Sequence, residues 1–186
     1  MRKSESRKEM KNDTSIESKG SSPSTDPQPL FFPVSLFKLL VLSFATLGIY
    51  ECYWFYKNWK MIKARQQTDI RPFWRAFFLV IYCHPCFKEI QWESDAHFNE
   101  TSPSLTLLTL FYIILKLCWR LPAPFWDICF FSSLLLLPLQ KMVNRLNADV
   151  APDHDPNSRF SGWEITLAIV GGIVFILGII GSFLDK

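Results

Sequence analysis

The chain has 186 residues, 49% of them hydrophobic and 16% aromatic, with 17 Phe and 7 Trp, an odd load for one soluble domain of this length. Its net charge is only +3, and the basic residues mostly flank apolar runs, which argues against nucleic acid as a partner. The apolar content gathers in five windows, 34–56, 73–90, 105–121, 123–139 and 163–184, each near the roughly 17–25 residues that cross a hydrocarbon core. Helices buried in a soluble bundle should show a polar face, and the stretches 129–139 and 165–181 have none. The expected fold is therefore all-α. It is a multi-pass integral membrane bundle of about five hydrophobic helices over residues 30–186, with a disordered polar tail over 1–29 and two interfacial amphipathic segments.

The tail is rich in Ser, Lys, Glu, Asp and Pro, mixes both charge signs, and lacks the apolar core of a signal peptide. After it, the first window ends in a dense aromatic block followed at once by cations. That profile is expected of a helix leaving a bilayer, with Tyr53, Trp54, Tyr56, Lys57 and Trp59 at the membrane interface. Basic residues near the windows favour a spanning helix over 34–56, with the following loop inside. A re-entrant hairpin broken near Gly48 is the alternative, at the cost of turning the backbone within lipid.

The string Thr46-Leu47-Gly48-Ile49-Tyr50, then Tyr53-Trp54-Phe55-Tyr56-Lys57, resembles the signature of a domain-of-unknown-function family of small bacterial multi-pass membrane proteins. The resemblance covers about residues 34–66. It implies a bacterial inner-membrane location and no established activity.

Beyond Lys57, Trp59 and Ile62 share a face with Phe55, which predicts the first interfacial segment. The second window contains Cys83-His84-Pro85-Cys86. Two thiols at this spacing close a small disulfide ring, and an intervening His stabilises a thiolate, so Cys83 and Cys86 form the candidate redox pair. Without a βαβ context, the competing account is two small residues beside a proline kink. Ser102-Pro103 reads as the start of the third window, and the short link around Pro122 and Pro124 predicts that the third and fourth windows form a hairpin. Lys116 and Arg120 fall on one face there, with Asp127 across the turn.

After Pro138, Leu139, Met142, Val143, Leu146 and Val150 follow helical apolar spacing and predict the second interfacial segment. The polar stretch Asp149, Asp153, His154, Asp155 and Asn157 carries oxygen ligands for a hard cation but lacks the glycine turn and closing Glu of a calcium hand, so it reads as a turn-forming linker. Ser161 and Glu164 form a capping box that opens the last helix, with Trp163 at the interface. Ala168, Gly171, Gly172, Gly178 and Ser182 leave one flank of that helix nearly bare, for close packing on another helix or on a second copy.

No phosphate-binding loop, nucleophile elbow or paired catalytic carboxylates are present. No metal or cofactor is expected. The expected role is non-enzymatic, as a membrane subunit, adaptor or structural interaction protein whose partners are the lipid bilayer and a membrane protein or a second copy. A membrane thiol oxidoreductase using Cys83 and Cys86 is one alternative. A small transporter or channel with Arg75, His84, Lys88 and Lys116 along its path is the other.

Overall fold

The computed structural model describes residues 27–100, 105–122 and 125–184, the side chains of 126, 179 and 182–184 excepted. Among them every regular element is helical, as expected. The multi-pass membrane bundle, by contrast, is overturned: among the described residues no helix is long and apolar enough to cross a membrane.

The first four windows are broken by the chain itself. The first is two helices, α1 (Leu36–Ala45) and α2 (Ile49–Gln66), parted by Leu47 and Gly48 at φ of 55° and 85°. The second is α3 (Pro72–Phe77) and α4 (Leu79–Phe98), parted at Phe78, and α4 runs on into polar sequence. The third gives α5 (Thr106–Leu117) and a 3-10 turn (Cys118–Arg120), and the fourth is a 3-10 helix over Phe125–Leu135 that leads into α6 (Leu136–Val150). At 1.5 Å per residue, α1, α3 and α5 are about 15, 9 and 18 Å long, well short of the roughly 30 Å of a hydrocarbon core. The fifth window becomes α7 (Gly162–Leu184). The expected tail up to residue 26 and the expected cap at Ser102-Pro103 lie outside the described residues.

The aromatic block is the centre of the molecule. α2 buries Tyr50, Glu51, Trp54, Phe55, Asn58, Trp59 and Ile62 along one face. Phe55 stacks on Phe87 of α4 at 5.7 Å and meets Trp54 edge-on at 5.0 Å. α4 adds Cys83, Cys86 and Ile90, α5 adds Tyr112, and α6 adds Leu136, Leu139, Val143 and Leu146. Both segments expected at a headgroup layer therefore have the apolar face read from their spacing, but that face is buried against protein.

α7 lies along α1, and Gly171 permits the approach: a Cβ there would fall 1.9 Å from the Ala45 carbonyl oxygen. The Ser161 backbone N–H donates to Glu164 Oε2 at 2.8 Å, the Glu164 half of the expected capping box at the head of α7.

Residues 30–34 cross between α2 and α6 with no regular structure of their own. Their backbone is paired by side-chain amides. Asn147 Oδ1 accepts from the N–H groups of Leu30 and Phe31 at 2.9 and 3.2 Å, while its Nδ2 donates to the Phe31 carbonyl at 2.8 Å. Asn58 Oδ1 accepts from Phe32 N–H, and Gln140 and Asn144 donate to the carbonyls of Phe32 and Val34. A buried chain without a ladder must find such partners.

Candidate functional site

The break between α1 and α2 builds the most charged part of the interior. Thr46 Oγ1 donates to the Leu42 carbonyl at 2.7 Å and accepts from Tyr50 N–H at 2.9 Å, closing one helix and opening the next. Leu47 and Gly48 then turn the chain through left-handed conformations, which Gly adopts without strain. The turn sets Glu51, 1% exposed, into the core. Tyr112 Oη donates to Glu51 Oε2 at 2.6 Å, and Lys116 Nζ lies 3.0 Å from Oε1. Ser132 Oγ donates to the same Oε1 at 3.4 Å. Burial, then the Glu51 charge and its hydrogen bond, push the Tyr112 phenol well above its ordinary range. Tyr112 therefore stays a donor at any physiological pH, and Glu51 is a buried carboxylate held by three side chains from α5 and the 3-10 helix.

A second buried ion pair locks α1 to the head of α7. Lys38 Nζ sits 2.8 Å from Glu164 Oε2 and donates to Asn157 Oδ1 and to the Arg159 carbonyl, both at 2.8 Å. Burial alone would raise the Glu164 carboxyl, but the hydrogen bonds from Lys38 and from Ser161, with the Lys38 charge, hold it below its ordinary value. Asn157 Nδ2 also donates to the Pro33 carbonyl at 3.2 Å. Part of the oxygen-rich linker is held in such contacts: Asp155 Oδ1 accepts from Asn157 N–H at 2.8 Å, and Asp149 Oδ2 lies 2.5 Å from His97 Nε2. Among the described residues no three His, Cys, Asp or Glu side chains converge as metal ligands do.

On the side of α2 turned away from the core, an open apolar groove of about 280 Å³ runs between α2 and α3. Ile49, Cys52, Tyr53 and Tyr56 line it from α2, and Phe73, Ala76 and Phe77 from α3. Lys57 Nζ stands 5.4 Å over the Tyr53 ring, and Trp163 meets Tyr53 edge-on at 6.4 Å. Phe73, Trp74, Phe77 and Phe78 form an exposed aromatic cluster beside the groove.

Cys83 and Cys86 are both fully buried free thiols on α4, either side of Pro85. Burial pushes the Cys83 thiol up to about 11 and raises Cys86 further, which disfavours the thiolate that exchange chemistry needs. Of the residues expected at an interface, Trp54 and Trp59 are core residues, Tyr53, Tyr56 and Lys57 are half-buried, and Trp163 is exposed. Of those expected in helix packing, Gly171 makes the close contact and Ala168 packs against the core, whereas Gly172 and Gly178 face open space. The Ser182 side chain lies outside the described residues. The charges offered as a transport path do not share one. Lys116 pairs with Glu51, and Arg75 lies over the Trp59 and Tyr82 rings at 4.3 and 5.3 Å. His84 and Lys88 line a separate cavity of about 310 Å³ between α4 and α5.

Sequence reasoning missed Glu51, Lys38, Asn58, Gln140 and Asn147 as organising residues. The available signal was a charge or amide inside an apolar stretch, since such a group persists only with a partner. Compared with protein-family models, curated proteins and solved structures, the chain matches none.

Proposed function

We propose that this chain is a non-enzymatic interaction protein that docks on a lipid surface through exposed apolar faces, without crossing it. The observation that carries this reading is α7. Ile165, Leu167, Ile169, Val170, Ile173, Val174, Ile176, Leu177 and Ile180 are all at least 42% exposed, on every side of the helix not covered by α1. Scattered apolar side chains are ordinary on a protein surface, but a whole helix of them marks a contact face. The aromatic cluster of α3 and the outer residues of α5, Leu107, Leu110, Phe111, Ile114 and Leu117, extend the same chemistry. Exposed Arg71, the N-cap of α3, stands at the start of the aromatic cluster and favours an anionic surface.

The interior supports a structural role for its polar groups. Glu51, Tyr112, Lys116, Lys38 and Glu164 are paired with one another, and the two adjacent thiols of α4 are buried. Flotation on a density gradient with phosphatidylglycerol-containing vesicles tests the reading, because it separates vesicle-bound chain from aggregate. The chain is expected in the floating fraction. A folded chain that stays at the bottom with both anionic and neutral vesicles would overturn it.

A further inference from the structure

The cavity of about 310 Å³ between α4 and α5 is distinguished by the chemistry of its walls. His84, Lys88 and Gln91 line it from α4, at the spacing of four and three residues that sets side chains on one stripe of a helix. Leu105, Thr106 and Thr109 line it from the head of α5. The two helices run antiparallel here. Phe87 meets Tyr112 edge-on at 5.6 Å, while Gln91, further along α4, shares the cavity with Leu105, seven positions back from Tyr112.

Charge is sorted between the two sides of α4. The acids Glu89 and Glu93 turn to Arg65 of α2, at 3.6 and 3.0 Å. No carboxylate lines the cavity, and Asp95, the next position on its stripe, is not part of the wall. Lys88 and His84 are exposed, and among the described residues neither side chain has an ion pair or a hydrogen bond. Thr109 N–H and Thr109 Oγ1 both donate to the Leu105 carbonyl at 2.8 Å, so the hydrogen bonding of α5 begins at the cavity wall. The leading N–H groups of a helix have no acceptor within it, and they form its positive end.

We propose that this cavity binds a phosphate monoester, held by Lys88, His84 and the head of α5. Lys88 brings three N–H donors, and His84 donates from one ring nitrogen even when neutral. With the leading amides of α5 they outnumber the two free oxygens of a phosphodiester and suit the three of a monoester. A lining without a carboxylate sets no like charge against the ligand. Exposed Ile81 on α4 and Ile114 on α5 lie beyond the His84 end, so an acylated monoester has apolar surface to follow and a free one needs none. The phosphate chemistry is common to a lipid headgroup and a soluble metabolite. The site does not rest on surface docking, since one monoester molecule in solution is enough to fill it.

The test titrates the full chain by calorimetry with glycerol 3-phosphate and with the diester glycerophosphoglycerol. In parallel, flotation compares vesicles containing phosphatidic acid with vesicles containing phosphatidylglycerol, matched for total charge. Saturable binding of glycerol 3-phosphate is expected, tighter than that of the diester. Lys88→Gln and His84→Ala are each expected to weaken it by about tenfold, the loss that goes with a hydrogen bond to a charged group. Both side chains are exposed, so the fold should tolerate the changes, as circular dichroism would check. Lys141→Gln, an exposed lysine on α6, should leave binding unchanged. A preference for phosphatidic acid that Lys88→Gln removes would assign the lipid headgroup as the source. Binding of glycerol 3-phosphate with no such preference would assign a free monoester. The proposal is overturned if neither glycerol 3-phosphate nor phosphatidic acid is favoured over its diester counterpart, or if Lys88→Gln and His84→Ala both bind as the parent does. A chain that floats with neither vesicle yet binds glycerol 3-phosphate through Lys88 leaves this proposal standing and removes only the docking one.

Discussion

At the scale of single residues, the interior depends on charges that have no alternative partner. Removing Glu51 leaves the Lys116 ammonium and the Tyr112 hydroxyl without their shared acceptor. Glu51→Ala is expected to cost about 3–5 kcal/mol in urea denaturation, the range for breaking a buried pair from one side. Tyr112→Phe removes one hydrogen bond of that set and should cost about 1–3 kcal/mol. Glu164 gives a pH dependence with a definite sign. Its carboxyl is held below the ordinary value in the folded chain, so it contributes stability in full above the unfolded carboxylate range, about pH 4.3. That contribution is lost as the pH falls through the lower folded value. Glu164→Gln should therefore flatten the decline in urea midpoint between about pH 5 and pH 3. Cys83 and Cys86 should resist maleimide labelling at neutral pH in the folded chain and react fully in denaturant, because both thiols are buried with raised pKa values. Rapid labelling of the folded chain would reopen thiol chemistry on α4.

Among the elements, the separate contributions of spacing and of long-range contact are visible. The apolar face of α6 over Leu139, Val143 and Leu146 and the start of α7 at Ser161 and Glu164 were legible, because each is set by residues within two turns of one another, whereas the partner of Gly171, Ala45 on α1, lies far away in sequence and was not. The break at Leu47 and Gly48 was legible only as an alternative, since one Gly in an apolar run does not specify a turn. What made the turn necessary is Glu51, which must reach Tyr112 and Lys116, residues more than sixty positions downstream. Residues 30–34 were less legible still. Their partners are single amides on α2 and α6, and an Asn that bonds a distant backbone leaves no periodic trace. Two substitutions test these contacts. Gly171→Ala should destabilise the chain by prising α7 from α1, whereas Gly172→Ala, facing open space, should stay within about 0.5 kcal/mol of the parent in thermal denaturation. Asn147→Ala removes three hydrogen bonds and strands buried backbone groups, for an expected loss of about 2–4 kcal/mol.

For the whole molecule, composition misled because an aromatic, apolar segment suits a lipid phase and a protein core equally well. Trp54, Phe55 and Trp59 are as buried as membrane residues would be from water, yet what they meet is protein: Gln140 of α6, Phe87 of α4 with Tyr112 of α5, and Arg75 of α3. In the first four windows the chain's turns and caps break the apolar runs, and the fifth stays whole as α7. Docking through α7 should behave accordingly. Raising salt should weaken vesicle binding only in part, because screening removes the contribution of the Lys and Arg residues and leaves the apolar contact intact. Complete release at high salt would mean that charge alone held the chain to the vesicle.

The contacts of residues 30–34 also bear on how the molecule is made. Leu30 and Asn147 are 117 positions apart, and Pro33 and Asn157 are 124 apart. On a ribosome the segment Leu30-Phe31-Phe32-Pro33-Val34 emerges early, and most of its partners are synthesised only after the larger part of the chain has followed. Until then a strongly apolar stretch waits without its groove, a stage at which such segments are prone to aggregate. Closing so long a loop is slow, so this segment should be among the last to gain protection when folding is followed by pulsed hydrogen exchange.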